Sequence, residues 1–356
     1  MSDKTHKGNF FEDFRVGDEL VHATPRTLTT GDAALYTSLY GSRFALHCSD
    51  EFARQLGYPQ APIDDLLVFH TVFGKSVPDI SLNAVANLGY ANGRFGVAVY
   101  PSDTISATSK VIGVKENSNG KTGTVYVRTV GTNQRGEMVL DFNRWVMVRK
   151  GNVDAPSPIP QVPQLPERVA DEDLTSDGPI KVGSYSTRAS GSSYAFEDYA
   201  VGERINHVDG ITVEEAEHMS SARLYQNTAR VHFNQHVEGA GRFGRRIVYG
   251  GHIISMARAA SFNGLANAYR ILGINAGTHA NPVFAGDTVY AWSEVVETIE
   301  LPNSKDVGAV RLRTVACKDH DPQDFPLRGE SGRYVPHVVL DFDYTVAIPK
   351  AHVLER

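Results

Sequence analysis

The residues best suited to proton transfer lie together in the second half of the chain. Asn227, Arg230 and His232 place an amide, a cation and an imidazole within six residues. An imidazole titrates near neutral pH and can accept or donate a proton, whereas an amide can orient water but cannot act as a base. This spacing indicates a site that could position a water molecule and exchange a proton with it.

A second feature follows about 20 residues later. Tyr249 precedes Gly250 and Gly251, and the two glycines open a long apolar segment with helical periodicity. Backbone N–H groups at a helix start are free to bind a ligand, and the helix dipole favours negative charge there. The pair could therefore hold an oxyanion. The alternative is a plain glycine turn before a buried helix.

The chain contains a long internal repeat. Phe11-Glu12-Asp13-Phe14 returns as Phe196-Glu197-Asp198-Tyr199, and Leu39-Tyr40 followed by His47 returns as Leu224-Tyr225 followed by His232. The offset of about 185 residues far exceeds the period of a solenoid. We therefore expect two related domain-sized units, an N-terminal repeat over 1–150 and a C-terminal repeat over 194–356. A proline-rich linker over 151–193 joins them.

The first repeat offers a competing site. Ser42, His47, Asp64 and Asp65 could supply a hydroxyl, an imidazole and carboxylates. The alternative is that an aspartate caps the following helix and His47 is a packing residue. We favour the second repeat, because its glycines can donate hydrogen bonds to an oxyanion that aspartates would repel.

Each repeat has the same predicted elements. A long helix, 65–76 or 251–268, is followed by β-rich segments. These segments cover 104–114, 123–130 and 139–148 in the first repeat and 287–299, 309–316 and 338–348 in the second. Strands collected after one long helix predict an α+β fold, with an antiparallel sheet wrapped round the helix in each half.

Composition limits the function classes. The 356 residues carry a net charge of −6, which argues against nucleic acid as a partner. No apolar run is long enough to span a bilayer, and Cys48 and Cys317 lie far apart without zinc-site spacing. We expect a cytoplasmic protein with no membrane partner and no metal. The letters of Gly239–Gly244 match GxGxxG, but their context excludes a dinucleotide site, and no cofactor is expected.

A family resemblance is carried by two motifs. His232 five residues after Asn227, and Phe243-Gly244 followed by Ile247-Val248-Tyr249-Gly250, resemble the pattern of the MaoC-like (R)-specific enoyl-CoA hydratases. Longer runs, such as 39–47, 82–90 and 340–344, resemble the mesaconyl-CoA hydratase family, also called β-methylmalyl-CoA dehydratases. The resemblance covers Phe10 to Lys350 and implies the double-hotdog fold. It also implies reversible hydration of mesaconyl-CoA to (2R,3S)-β-methylmalyl-CoA in acetyl-CoA assimilation.

The resemblance assigns roles with two departures. Asn227 replaces the aspartate of the broader family, and Tyr249 replaces the histidine before the glycine. His232 would then move the proton, Asn227 would position the water or hydroxyl, and the amides of Gly250 and Gly251 would hold the thioester oxygen.

The loss of the aspartate has a physical rationale. Mesaconyl-CoA carries a carboxylate on the carbon that receives the hydroxyl. A second carboxylate at about 4 Å would repel it by roughly 4 kcal/mol at an effective dielectric constant of about 20. Asn227 avoids this repulsion, and Arg230 or Arg43 could pair with the substrate carboxylate. His47, Tyr249, Asp64 and Asp65 are further candidates for contact with the CoA-thioester substrate.

Two other functions stay open at this point. A hotdog acyl-CoA thioesterase would use a carboxylate base, for which Asp64 or Asp65 would be available. A non-catalytic acyl-CoA-binding protein would explain why neither repeat has the usual aspartate. The two-repeat chain could in addition form a homo-oligomer.

Overall fold

The structure is a computed structural model that describes residues 4–175 and 180–355. Its helices are α1 (Thr30–Tyr40), α2 (Ala45–Cys48), α3 (Asp50–Gln55), α4 (Asp65–Ser76), α5 (Thr187–Ser190), α6 (Glu215–Leu224), α7 (Arg230–Phe233), α8 (Gln235–Glu238), α9 (Gly250–Ala260) and α10 (Phe262–Leu265). Its strands are β1 (Glu19–Val21), β2 (Arg26–Thr27), β3 (Ala84–Phe95), β4 (Thr104–Glu116), β5 (Thr122–Thr132), β6 (Met138–Arg149), β7 (Tyr185–Ser186), β8 (Arg204–Asn206), β9 (Ile211–Thr212), β10 (Arg270–His279), β11 (Thr288–Glu300), β12 (Val307–Lys318), β13 (Val338–Pro349) and β14 (Leu354–Glu355).

One antiparallel sheet runs through both repeats. In the described part of the chain its order is β1-β4-β5-β6-β3-β10-β13-β12-β11-β8, with β2 added to β4 and β9 added to β11. The two halves join where β3 pairs with β10, for example at Tyr90 opposite Gly277. The predicted α+β fold with an antiparallel sheet in each half is confirmed.

A long helix packs against each half of the sheet. Every residue of α4 is buried, and α4 contacts β4, β5 and β6, whereas α9 contacts β11, β12 and β13. Their apolar side chains belong to one hydrophobic core that both repeats share. Burial of these apolar surfaces is the main force that holds each helix on its sheet.

The second long helix ends earlier than predicted. We expected a continuous helix over 251–268, but α9 stops at Ala260, and Asn263 and Gly264 are non-helical. Gly264 has a φ of +108°, a conformation open to glycine and strained for other residues. The apolar periodicity continued past this break, and for that reason the sequence did not reveal it.

Equivalent contacts in the two halves support the duplication. His22 Nε2 lies 2.7 Å from Ser109 Oγ, and His207 Nε2 lies 2.8 Å from Ser293 Oγ. The repeated tyrosines Tyr40 and Tyr225 meet each other, with their hydroxyl oxygens 2.7 Å apart. This contact between equivalent residues places the pseudo-two-fold axis between them.

The segment between the repeats is packed onto the sheet in several places. Gln161 exchanges backbone hydrogen bonds with Val114, and the Val169 N–H donates to Asn275 Oδ1 at 2.9 Å. Val169 and Leu174 are buried in a core cluster. The domain limits given above stay a prediction. None of the helices in the described ranges is long and apolar enough to cross a membrane.

Candidate active site

A cavity of about 550 Å³ lies between the two repeats. The second repeat contributes His232, Asn227, Tyr249 and Gly250 to its wall, so four residues singled out from the sequence meet there. Across from them, the first repeat contributes apolar and polar side chains, among them Phe73, Asn87, Tyr90 and Arg144. The site is therefore built from both halves of the chain.

His232 is held in one orientation and one tautomer. Its Nδ1 lies 2.8 Å from the Ile247 carbonyl oxygen, which can only accept a hydrogen bond. Nδ1 therefore carries the proton, and Nε2 keeps its lone pair with no partner among the described residues. Burial lowers the pKa of His232 to about 4, although the bond to Ile247 raises it in part. The ring is thus a neutral imidazole that can accept a proton at Nε2.

Asn227 is also fixed. It follows Gln226, whose φ of +54° turns the chain after α6, and its side chain is 1 % exposed. Its Oδ1 accepts a hydrogen bond from the Ala229 N–H at 3.2 Å. The NH₂ group forms no hydrogen bond with the described residues, so it can donate to a ligand in the cavity.

The start of α9 meets the cavity at Gly250. The preceding Tyr249 offers no side-chain cap to the N–H groups of the first turn. Both glycines are needed for close packing: a Cβ on Gly250 would lie 2.4 Å from the His279 ring, and one on Gly251 would lie 2.3 Å from the Tyr249 ring. The helix start is therefore uncapped and tightly enclosed, which suits an oxyanion site.

His279 is a site residue that sequence reasoning missed. It lines the cavity at the end of β10, and its Nε2 lies 3.1 Å from the Tyr90 hydroxyl oxygen. Burial lowers the pKa of His279 to about 4. No sequence motif marks His279. It reaches the cavity through the pairing of β10 with β3, which the local sequence does not reveal.

Arg144 was missed as well, although a signal was available. Along β6 the buried apolar residues Leu140, Phe142, Val146 and Val148 alternate with period two, and Arg144 occupies a position of this series. A charged residue on an otherwise apolar strand face is the kind of exception that indicates a buried polar role.

The carboxylates predicted in the first repeat serve the fold. Asp64 caps α4 by accepting a hydrogen bond from the Leu66 N–H at 2.9 Å. Asp65 is 5 % exposed, lies 3.0 Å from Arg270 Nε and accepts a hydrogen bond from the Ile271 N–H. His47 lies against this carboxylate, with Nε2 at 3.8 Å. Neither aspartate lines the cavity.

The place equivalent to the cavity is filled in the other half. Leu46 and Phe52 lie 185 residues before the cavity-lining Val231 and Val237. They are buried in one cluster with Val169 and Leu174 of the connecting segment. Ser42 and His47 therefore border a packed core instead of an open site.

The two predicted carboxylate-binding arginines lie outside the cavity. Arg230 is exposed and donates to Asn83 Oδ1 at 2.6 Å and to the Lys7 carbonyl oxygen at 3.3 Å. Arg43 is also exposed, and its guanidinium lies 4.5 Å from the centroid of the Phe262 ring. The structure therefore brings neither arginine to His232.

Comparison with known proteins identifies the family. A family model described as mesaconyl-CoA hydratase matches residues 1–178 and 222–329. The chain belongs to the mesaconyl-CoA hydratase family. It is 64 % identical over 350 residues to a β-methylmalyl-CoA dehydratase of Chloroflexus aurantiacus, which covers 98 % of this chain and 99 % of that protein. It is 56 % identical to a mesaconyl-CoA hydratase of Cereibacter sphaeroides, with 98 % and 100 % covered.

Solved structures agree with this family assignment. A crystal structure of a MaoC domain protein dehydratase from Chloroflexus aurantiacus matches with a TM-score of 0.97 at 64 % identity, over 98 % of this chain and 99 % of that one. A double-hotdog protein from Mycobacterium tuberculosis matches with a TM-score of 0.72 at 24 % identity, over 96 % and 99 %. The second likeness concerns the fold alone. The predicted resemblance to mesaconyl-CoA hydratases and the predicted double-hotdog fold are both confirmed.

Proposed function

We propose that this protein is a hydro-lyase that interconverts mesaconyl-CoA and β-methylmalyl-CoA by adding or removing water. Full-length relatives at 64 % and 56 % identity bear the names of this dehydratase and hydratase. The observation that carries the proposal is the neutral imidazole of His232, whose free Nε2 shares one cavity with the uncapped start of α9.

The dehydration direction illustrates the proposed roles. His232 Nε2 takes the proton from the carbon next to the thioester carbonyl, and the electrons move onto the thioester oxygen as an enolate. The N–H groups of Gly250 and Gly251 stabilise this developing charge. When the enolate collapses, the carbon–oxygen bond of the hydroxyl group breaks, and the imidazolium returns its proton to form water. Hydration runs through the same steps in reverse.

Asn227 has a positioning role in this scheme. Its Oδ1 is engaged by the Ala229 N–H, so its NH₂ group donates a hydrogen bond to the hydroxyl or water oxygen. Since the amide is neutral, it does not repel the substrate's own carboxylate. One proton carrier is sufficient, because the proton removed from carbon is the one that leaves with the hydroxyl.

The mouth of the cavity suits the anionic part of CoA. Arg149 and Arg242 line the cavity and are exposed. Neither forms an ion pair with a carboxylate in the described ranges. We assign them to the phosphates of the CoA moiety, for which arginine is well suited.

The two aspartates named for the thioesterase alternative are not available as its base. Asp64 and Asp65, the carboxylates it would require, are engaged by the helix start and by Arg270 and lie outside the cavity. A binding protein without activity would not need an imidazole with a free Nε2 beside an oxyanion site.

Incubation of the purified protein with mesaconyl-CoA tests the proposal directly. We expect a product heavier by one water molecule and a loss of the enoyl-thioester absorbance, with no release of free thiol. Thiol release would indicate a thioesterase instead. Binding of mesaconyl-CoA without any conversion would indicate a binding protein.

A further inference from the structure

Arg144 is a fully buried arginine in the cavity wall. Its exposure is 0 %, and its guanidinium stacks on Phe73, with Cζ 4.3 Å from the ring centroid. Nη2 donates to Ser76 Oγ at 2.7 Å, and contacts to Ser81 Oγ at 3.5 Å are long. Nε is buried and has no hydrogen-bond partner among the residues that the structure describes. The group is thus held in place by neutral atoms and retains an unused donor.

The charge of Arg144 lacks a counterion in the described ranges. Burial lowers its pKa to about 10, so it stays charged at neutral pH, and its hydroxyl partners are neutral. Other arginines of the sheet behave differently: Arg94 and Arg128 both pair with Asp141, and Arg311 pairs with Asp343. A buried charge without a partner is costly, which favours a ligand as its counterion.

The equivalent position in the second repeat is neutral. The repeated run Val-Leu-Asp-Phe aligns Asp141 with Asp341 and therefore Arg144 with Tyr344. Tyr344 is buried in the apolar core that both repeats share. The unpaired cation is therefore present in the half of the sheet that faces the open cavity.

A second polar group without partners lies in the same wall. The side-chain nitrogen and oxygen of Asn87 are both buried, and neither has a hydrogen-bond partner within residues 4–175 and 180–355. Asn87 lines the cavity together with Arg144. A guanidinium and an amide, neither of them paired with a carboxylate of the described residues, form a polar end that suits a carboxylate.

Contacts along the wall connect this polar end to the proposed reacting groups. The ring of His232 lies 5.5 Å from that of Tyr249, Tyr249 lies 5.6 Å from Phe73, and Phe73 carries the guanidinium of Arg144. These contacts place the imidazole and the guanidinium along one continuous aromatic wall of the cavity.

We propose that Arg144 binds the free carboxylate of the acyl group and so selects thioesters of dicarboxylic acids. This inference rests on the proposed function and names the group that recognises its substrate. Arg144 replaces Arg230 and Arg43 in that role. Asn87 donates a further hydrogen bond to the same carboxylate.

A matched pair of substrates tests the proposal. Mesaconyl-CoA and (E)-2-methylbut-2-enoyl-CoA differ only in a carboxylate that a methyl group replaces. We expect Arg144→Met to lower kcat/KM for mesaconyl-CoA by roughly 10³-fold, because a buried charge pair is lost, while kcat/KM for the methyl analogue is unchanged or higher. Arg144→Lys keeps the positive charge but cannot donate two parallel hydrogen bonds to the carboxylate. We therefore expect it to reduce the preference for mesaconyl-CoA less than Arg144→Met does.

Two further variants serve as controls. Arg258→Met removes another buried arginine, which stacks on Phe44 and bonds the Ala268 carbonyl oxygen outside the cavity. We expect it to affect stability and leave the ratio of the two kcat/KM values unchanged. Arg230→Met should also leave the ratio unchanged, and a loss of selectivity in that variant would overturn the proposal. Equal losses on both substrates in Arg144→Met would overturn it as well.

Calorimetric binding separates this inference from the proposed function. If the wild-type protein converts neither thioester, the proposed function fails. In that case the two dissociation constants, for mesaconyl-CoA and for its methyl analogue, still test the role of Arg144. If Arg144 binds the carboxylate, the wild type binds mesaconyl-CoA more tightly than the analogue, and this preference is reduced in Arg144→Met and Arg144→Lys.

Discussion

At the proposed reacting end of the cavity, a single backbone contact determines the tautomer of His232. The Ile247 carbonyl oxygen fixes the proton on Nδ1, and burial keeps the ring neutral. His47 makes the same contact in the first repeat, with Nδ1 3.1 Å from the Pro62 carbonyl oxygen, but its Nε2 lies against Asp65. The two histidines are therefore equivalent in the chain and different in their surroundings.

This difference gives a matched pair of variants. We expect His232→Gln to lower kcat for mesaconyl-CoA hydration by about 10²–10⁴-fold, the usual contribution of a general acid–base. His47→Gln should leave kcat nearly unchanged in steady-state assays. A large loss in His47→Gln with little effect of His232→Gln would move the chemistry to the first repeat.

Substitution of Asp65 tests whether its carboxylate has a structural or a catalytic role. Its removal would take away the buried carboxylate that Arg270 contacts, and breaking such pairs costs about 3–5 kcal/mol. We therefore expect Asp65→Ala to lower the free energy of unfolding by about that amount in urea titrations. The folded fraction should keep its rate of mesaconyl-CoA hydration, which would not be so if Asp65 were the base of a thioesterase or hydratase.

At the level of elements, the start of α9 does two things. Its first turn has no side-chain cap where Gly250 lines the cavity, and the absence of a Cβ on Gly250 lets the His279 ring pack close to the backbone. Glycine is required there because of this close approach, since the backbone of Gly250 does not have a positive φ.

Gly250→Ala tests this account. Its Cβ would lie 2.4 Å from the His279 ring, so either the helix start or the histidine must move. We expect kcat to fall at least about 10²-fold, the typical cost of losing an oxyanion-hole donor. Gly31→Ala, in the first turn of α1, is a suitable control because its Cβ would meet only Thr29 Oγ1 at 3.4 Å. If both variants had wild-type kcat, the helix start would have no role in the reaction.

Over the whole molecule, buried histidines make stability depend on pH. Burial lowers the pKa of His207 to about 4 and that of His252 to about 3. Well above pH 6.5 these rings are neutral in both the folded and unfolded chain and contribute nothing to the pH dependence. As the pH falls from 6.5 towards 4, the unfolded chain takes up protons first, so the folded state loses relative stability.

The free energy of unfolding should therefore decrease between pH 7 and pH 4. A depression of the pKa from 6.5 to about 4 corresponds to roughly 3 kcal/mol for His207 at the acidic end. In denaturant titrations, His207→Gln should have a shallower pH dependence than the wild type. His236→Gln, at an exposed histidine, should match the wild type. Identical slopes in all three proteins would contradict this explanation.

The segment that connects the two repeats makes the two halves of the molecule different. Val169 and Leu174 pack against Leu46 and Phe52, where an open cavity would otherwise be expected from the pseudo-symmetry. Residues of the connecting segment therefore fill the place that is equivalent to the cavity, and the linker contributes to the asymmetry between the two halves.

The sequence by itself determined the duplication, the α+β double-hotdog fold, the family and the cluster around His232. Each of these depends on local pattern or on long matching runs, which the order of residues records directly. It also predicted a helix that begins at Gly251, one residue after the observed start at Gly250, because apolar periodicity and glycine position are local signals.

Only the tertiary structure decided what faces the cavity. Tyr90, Arg144 and His279 come from β3, β6 and β10, and the pairing of β3 with β10 brings these distant segments together. The sequence placed carboxylate recognition at Arg230 and Arg43 because they are near the motif, but proximity along the chain does not fix the direction of a side chain. Burial and the absence of a counterion among described residues are properties of the folded molecule, and these properties distinguish Arg144.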